Sequence, residues 1–215
     1  LWASADIQEI DLSKVSDAQV KTATRNLDRY FKVIRNAEIP VENWEAKMSD
    51  VEYAEFVHDP IGAKGKSPGM ERKLLEAIEG AERSITITSP YVRFSPVFEK
   101  AVLEAQHRGV QVTLMTAGEK TSDAGITLHA FEPQAVKLTE RGVNIYQHLG
   151  PDFLHVKMME VDGKVVYGGS HNFNIRSERT DYESGFIFKD KKFGQKIERF
   201  QQQLLMKETE LFSLG

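Results

Sequence analysis

A histidine and a lysine two residues apart, His155 and Lys157, begin a stretch of this sequence whose residue types could do chemistry together. Ser170 and Asn172 follow past a turn, and Glu183 lies further on. Residues two apart on a strand point to the same face, so the histidine and the lysine are expected to converge. A protonatable nucleophile, a fixed cation, amide and hydroxyl donors and an orienting carboxylate are groups that can bind and attack a phosphate.

Strands alternating with helices are predicted to position these residues. The runs FLHVKMMEV and KVVYGGS, separated by the turn-forming pair Asp162-Gly163, predict a hairpin. Helices are predicted at 70–82, 95–108, 127–141 and 191–206, and further strands at SITITSPYV, VQVTLMT, VNIYQH and YESGFIF. This order is typical of an α/β fold with a central mixed, largely parallel sheet flanked by helices.

The first part of the chain has a different pattern. Apolar residues recur at helical spacing over 14–36 and predict an amphipathic helix, and VEYAEFVHDP predicts a strand that ends at Asp59-Pro60. We place the main boundary near residues 48–52. Residues 1–50 are then a helical linker or tail, and residues 51–215 form the unit that carries the chemistry.

Composition narrows the classes of function. The chain has 215 residues, a formal net charge of −4 and no cysteine, which excludes disulfides, thiolate zinc sites and a cysteine nucleophile. The acidic balance disfavours nucleic acid as a partner but leaves a local basic groove open. No stretch approaches the roughly 18 apolar residues needed to cross a bilayer, so the sequence indicates a soluble or peripheral chain. The first residues lack signal-peptide features, and the compartment stays unknown.

The spacing of the chemical residues resembles a known motif. His155-x-Lys157, four residues, Asp162, six residues and Gly169-Ser170-x-Asn172, with Glu183 beyond, is similar to the HKD motif of the phospholipase D superfamily. The segment from AIEGAERSITITSPYV to VQVTLMT resembles the start of a half-domain in this superfamily, and RSERTDYESGFIF resembles the stretch after its motif. The resemblance covers residues 52–207 and implies a phospholipase D-like α/β sandwich half-domain.

The resemblance also implies a role for each residue. In this superfamily two motifs meet across a twofold axis, where one histidine attacks phosphorus to form a phosphohistidine and the other protonates the leaving alcohol. His155 would be one of that pair, Lys157 and Asn172 would hold nonbridging phosphate oxygens, and Glu183 would orient the imidazole. Ser170 would add a hydrogen bond. No metal or other cofactor is implied, because the cationic side chains do what divalent ions do in other phosphodiesterases.

Other residues receive structural or open assignments. Asp162 is assigned to the turn or to a salt bridge, and Gly169 to the structure of the motif. Tyr91, at the end of a strand, is equally consistent with lining the pocket and with ordinary packing. The remaining histidines match no motif position and are interpreted as surface or loop residues: His58, His107, His129, His148 and His171.

The opening residues LWAS resemble the end of a preceding half-domain in tandem enzymes that carry two motifs on one chain. The partner expected from this resemblance is a second HKD half, from the same parent chain or from a homodimer. In tandem members the second half usually supplies the general acid, which favours His155 as the acid and not the attacker.

Three functions remain open. The first is a lipid phosphodiesterase or phosphatidyltransferase similar to cardiolipin synthases and phospholipases D, acting on phospholipid with possible contact to a membrane surface. The second is a metal-independent endonuclease that works as a homodimer. The third is an inactive half-domain kept for dimerisation or binding. Whether water or an alcohol resolves the intermediate separates hydrolase from transferase.

Overall fold

A computed structural model describes residues 15–36, 43, 48–60, 69–118, 121, 125–150 and 153–212. The chain divides into two compact units, Leu1–Met48 and Ser49–Gly215. In the first unit the structure describes one helix, α1 (Asp17–Asn36), which confirms the helix expected there. Val20, Leu27 and Phe31 recur at helical spacing on α1 and are about half exposed. The reading of residues 1–50 as a linker stays a prediction.

The second unit alternates strands and helices, as its sequence pattern predicts. In chain order the described elements are β1 (Tyr53–His58), α2 (Gly69–Glu79), β2 (Ser84–Thr88), α3 (Pro96–His107), β3 (Gln111–Ala117), α4 (Gly125–Glu140), β4 (Asn144–His148), β5 (Met158–Val161), β6 (Val165–Gly169), α5 (Ile175–Arg179), β7 (Ser184–Lys189), α6 (Lys191–Glu208) and β8 (Thr209–Leu211).

The strands form one mixed sheet in the order β1-β7-β6-β5-β2-β3-β4-β8. The α/β class with a mixed central sheet is confirmed, but the expectation that the sheet is largely parallel is wrong. Only β2-β3 and β3-β4 pair in parallel. The β5-β6 hairpin is antiparallel because a tight turn can join only antiparallel strands, and β7 and β1 extend the sheet antiparallel beyond it.

Helices cover both faces of this sheet. Ile85 and Ile87 of β2 belong to one buried cluster with residues of α2, α3 and α4, such as Leu74. The alternate residue Thr88 faces α6, where Gln201 Nε2 donates to its Oγ1 at 3.0 Å. The architecture is therefore a sandwich of helices around the sheet. No helix in the described part of the chain is both long enough and apolar enough to cross a bilayer.

Local signals explain where elements begin. Helix α3 begins after Ser95, whose Oγ accepts from the amide of Phe98 at 3.4 Å, and Pro96 occupies its first turn. Strand β5 begins only at Met158, five residues later than the run FLHVKMMEV predicts. The five-residue helix α5 and the three-residue strand β8 were not expected, because they are too short to show a periodicity.

Candidate active site

His155 and Lys157 precede the hairpin instead of lying on its first strand. The residues from Phe153 to Lys157 have no regular secondary structure, so the placement of both residues on a strand is wrong. The sheet does not end abruptly there, since the amide of Gly169 donates to the carbonyl of Lys157 at 3.2 Å. The backbone just before β5 is thus still paired to β6 at this end of the sheet.

The two side chains occupy different environments. His155 is exposed, and its ring stacks on Phe153 with 5.2 Å between centroids. Lys157 is half-buried, and its Nζ donates to the carbonyl of His155 at 3.0 Å. Partial burial lowers the pKa of Lys157, and the negative charge of Glu183 acts in the opposite direction. A partly desolvated cation interacts more strongly with an anionic ligand than a fully hydrated one.

Glu183 is buried at the start of β7, where other residues fix it. The Ser170 hydroxyl donates to its Oε2, and the amide of Ser184 donates back to the Ser170 oxygen at 3.0 Å. Two hydrogen bonds join Glu183 to Asp59. The Glu183 backbone amide donates to the side-chain Oδ2 of Asp59 at 2.9 Å, and the Asp59 backbone amide donates to the Glu183 backbone carbonyl at 2.8 Å. Asp59 is 1% exposed and also accepts from the amide of Met70 at 3.0 Å.

Asp59 is a residue that the sequence analysis missed. Asp59-Pro60 was interpreted as a turn signal alone, and nothing local connects Asp59 to Glu183, which lies 124 residues away in the chain. The structure brings Ser170 and Glu183 together with Lys157 nearby. Glu183 was expected to orient the imidazole of His155. Within the described residues its carboxylate accepts a hydrogen bond from Ser170, and the imidazole of His155 lies against Phe153.

Asn172 lies in a segment that is pinned by its backbone. Its carbonyl accepts from Ser89 Oγ at 2.7 Å, and its amide donates to Ser177 Oγ at 3.1 Å. Its side-chain Oδ1 is buried and has no hydrogen-bond partner among the described residues. Such an atom is costly to bury unsatisfied, which is typical of a site that acts on a ligand. Phe173 follows with a φ of 51°, a strained value for a residue with a side chain.

Two of the histidines interpreted as surface or loop residues are buried. His171 lies in a loop, as that interpretation allows, whereas His148 lies on a strand, which contradicts it. His171 is fully buried, and its Nδ1 accepts from the amide of Phe173 at 3.0 Å. His148 is 4% exposed at the end of β4. His58, His107 and His129 are exposed, as expected. The ring of His171 packs against those of Phe98 and Phe173, a contact that the sequence does not indicate.

Asp162 lies at the far end of the hairpin and binds backbone. Its carboxylate accepts from the amides of Glu82, Arg83 and Ser84 at 2.9, 2.7 and 2.9 Å. Partial burial would raise the pKa of Asp162, but these three bonds and the charge of Arg83 outweigh it and lower the pKa. Its φ of 59° places it in the left-handed turn expected from Asp162-Gly163. The contacts agree with a structural assignment for this residue.

Tyr91 is half-buried between the site and a neighbouring cavity. Its ring lies 6.4 Å from that of Phe153, so Tyr91, Phe153 and His155 form a chain of aromatic contacts. Tyr91 also lines a cavity of about 520 Å³ together with three arginines. Neither Phe153 nor these arginines was singled out from the sequence. Among the described residues, no cluster of three histidine or carboxylate side chains is placed to hold a metal ion.

Comparisons with known proteins agree with this geometry. A family model described as "Cardiolipin synthase, PLD-like domain" matches residues 74–205. Cardiolipin synthase A of Buchnera aphidicola is 32% identical over 128 residues, which is 60% of this chain and 26% of that protein. The chain therefore spans about a quarter of the length of this curated relative.

Solved structures show the same fold. The phospholipase D family member Nuc of Salmonella typhimurium matches with a TM-score of 0.60 and 21% identity, over 75% of this chain and 99% of that one. Phosphatidylserine synthase of Haemophilus influenzae matches with a TM-score of 0.63 and 16% identity, over 74% of this chain and 40% of that one. Because the family model covers more than half of the sequence, the chain belongs to the phospholipase D superfamily, a family of phosphodiesterases and phosphatidyltransferases.

Proposed function

We propose that this chain supplies half of an active site that hydrolyses or transfers phosphodiesters of phospholipids through a phosphohistidine. One observation carries the proposal: the end of the sheet where β6 ends and β7 begins holds a group of His155, Lys157, Ser170 and Glu183. It offers one exposed imidazole, whereas the chemistry needs two. A second HKD half, from the same parent chain or from another copy, would supply the other.

The reaction divides between the two imidazoles. One histidine attacks phosphorus and forms a P–N bond while the P–O ester bond breaks, and the other gives a proton to the leaving alkoxide. Water or an alcohol then attacks phosphorus, which forms a new P–O bond and breaks the P–N bond. The second histidine takes the proton from the attacking water or alcohol. We assign the acid and base role to His155, because its exposed ring can reach a leaving group that arrives from the partner half.

The remaining residues act on the charge of the phosphate. Lys157, partly desolvated, binds a nonbridging oxygen, and the side-chain Nδ2 of Asn172 donates to another. Glu183 holds Ser170 in place by accepting its hydroxyl hydrogen bond, and its proposed role toward His155 is to orient the imidazole. No step in this scheme uses a metal.

Phospholipid is the substrate class that the relatives favour. The Buchnera relative is named a cardiolipin synthase and the Haemophilus neighbour a phosphatidylserine synthase. The net charge of −4 gives no general attraction for a nucleic acid, which supports the same choice. Membrane contact in this proposal is peripheral and takes place through the partner-completed site.

The test is a panel of substrates assayed in EDTA with the parent protein and with this chain alone. Phosphatidylglycerol, phosphatidylcholine, a chromogenic phosphodiester and single-stranded DNA are compared side by side. We expect turnover of phospholipid by the parent protein, little by the isolated chain, and none after His155→Ala. His107→Ala, an exposed histidine on α3, is the matched control.

The outcomes separate the alternatives. Cleavage of DNA in preference to lipid, at a rate that falls as salt rises, would identify the endonuclease instead. Turnover at a normal rate by a monomer of this chain would refute the half-site. A parent protein that binds lipid but turns over none of the four substrates would show the inactive half-domain.

A further inference from the structure

A cavity of about 520 Å³ lies beside the proposed active site. One wall comes from the residues after β2, including Tyr91 and Arg93, and the other from α5 and its flanking residues, including Asn174 and Arg179. The volume lies within the range of sites that hold small molecules. None of the residues given a catalytic role above lines it.

Three guanidinium groups surround this cavity: those of Arg93, Arg176 and Arg179. Arg176 binds Asp181 through its Nε at 2.9 Å, which leaves its two terminal nitrogens available. Within the described residues, the side chains of Arg93 and Arg179 make no hydrogen bond or ion pair. A planar guanidinium forms paired hydrogen bonds with a phosphate, so three of them around one cavity favour an anionic ligand of that shape.

The cavity is not purely polar. Tyr91, Ala130 and Ile175 are half-buried, so partly exposed apolar carbon lines the space between the arginines. Apolar lining gains free energy when it loses water to a hydrocarbon chain and gains little from a free phosphate ion. The chemistry of the lining thus fits a phosphate ester with attached carbon chains better than inorganic phosphate.

The two walls are rigidly joined to each other and to the site. The amide of Arg93 donates to the carbonyl of Phe173 at 3.1 Å, and the amide of Ile175 donates to the carbonyl of Arg93 at 3.1 Å. Asn174 Nδ2 donates to the carbonyl of Tyr91 at 3.1 Å. Asn172 lies two residues before Asn174, so the cavity and the phosphate-binding segment share one continuous backbone.

We propose that this cavity binds the phosphate and the first carbons of a second anionic phospholipid, one that does not react. The arginines hold the phosphate, and Ala130, Ile175 and Tyr91 contact the carbon chain. This inference rests on the proposed function for its choice of lipid as the ligand.

The test measures binding and not turnover, and all variants are made in the His155→Ala chain. Dihexanoylphosphatidylglycerol, kept below its micellar concentration, is titrated into the protein by calorimetry. Arg179→Gln and Arg93→Gln should each weaken binding about tenfold, as expected for the loss of a charge-assisted hydrogen bond. Arg72→Gln, which removes the same charge from a side chain that is 72% exposed on α2, should leave binding unchanged.

Two further ligands divide the sources of a phosphate. Dihexanoylphosphatidylcholine has the same chains without net charge and should bind more weakly. Glycerol 3-phosphate has the anionic group without the chains and should also bind more weakly. If glycerol 3-phosphate bound as tightly as the lipid, the cavity would be a site for free phosphate esters and the lipid assignment would be overturned.

Failure of this inference can be told apart from failure of the proposed function. If Lys157→Ala abolishes binding while the arginine variants leave it unchanged, the lipid occupies the HKD site and this inference is wrong. If arginine-dependent binding is found in a protein that turns over no phosphodiester, the cavity assignment holds and the proposed function fails. Equal binding by the arginine variants and Arg72→Gln would overturn the inference in either case.

Discussion

The two ends of the β5-β6 hairpin carry the same motif but are built differently. At one end, His155 is exposed and touches another ring, and Lys157 is half-buried beside a carboxylate. At the other end, Asp162 accepts three backbone amides, and Glu160 is fully buried with one oxygen bonded to the amide of Gly163. The first end presents side chains to a ligand, and the second uses its carboxyl groups on the backbone.

This difference teaches that the residues of one motif have separable roles. Because Asp162 ties the hairpin turn to residues 82–84 at the start of β2, it sets the position of β5 in the sheet. The residues before β5 then emerge at a defined place although they have no regular structure of their own. The scaffold end should therefore control stability, and the open end should control activity with little effect on stability.

The largest expected effect is on activity at the open end. His155→Ala in the parent protein should lower phosphodiester turnover at least about a thousandfold, because an acid and base step is lost. Its unfolding free energy should change by less than about 0.5 kcal/mol, since an exposed side chain is removed. Turnover assays and urea denaturation measure the two quantities. A large loss of stability would contradict the division between the two ends.

The next effect is on stability at the scaffold end. Asp162→Ala leaves the amides of Glu82, Arg83 and Ser84 without their common acceptor, and should lower the unfolding free energy by about 3–4 kcal/mol. Urea denaturation measures this change, and Asp50→Ala, at an exposed carboxylate outside the hairpin, is the control. If Asp162→Ala abolished activity while its stability matched the control, Asp162 would belong to the chemistry and not to the scaffold.

Glu160 makes the scaffold end sensitive to pH. Burial raises the pKa of Glu160 to about 7. Between about pH 4.5 and pH 7 the folded protein keeps this proton and the unfolded chain loses it. The contribution of Glu160 to the unfolding free energy is therefore complete below about pH 4.5 and is lost as the pH rises to about 7. The decline should be at most about 3.5 kcal/mol, since each pH unit is worth about 1.4 kcal/mol.

The measurement is urea unfolding of the wild type and of Glu160→Gln between pH 5 and pH 8. The difference between the two isolates the titration of Glu160, because the other groups are shared. Glu160→Gln should lose stability less steeply than the wild type as the pH rises. Parallel curves would mean that Glu160 does not change its charge in this range.

Much of this division could be read from the sequence, and the rest depends on long-range contacts. The spacing from His155 to Glu183 and the helix and strand periods are local, so the family, the elements and most of the motif were predictable. The pairing of Asp59 with Glu183 joins positions 124 residues apart, and no local pattern indicates it. The hydrogen bond from Ser170 to Glu183 and the stacking of Phe153 on His155 are side-chain contacts that residue spacing does not specify.

The smallest expected effect tests how far the open end is tolerant. A Cβ on Gly169 would meet the Tyr167 hydroxyl at 2.5 Å and the Gly185 Cα at 2.7 Å, and would also meet the Ser184 carbonyl. Backbone of β7 cannot move aside without breaking its pairing with β6, so Gly169→Ala should cost about 2 kcal/mol.

Gly168→Ala is the matched control, because a Cβ there meets nothing within 4 Å, and it should be neutral or slightly stabilising. Urea denaturation of the two variants compares adjacent positions with the same chemical change. A cost at Gly169 alone would show that the open end is permissive for exposed side chains such as His155 but closely packed in its backbone. Equal stability of the two variants would mean that β6 and β7 can separate there, and that the site end is flexible throughout.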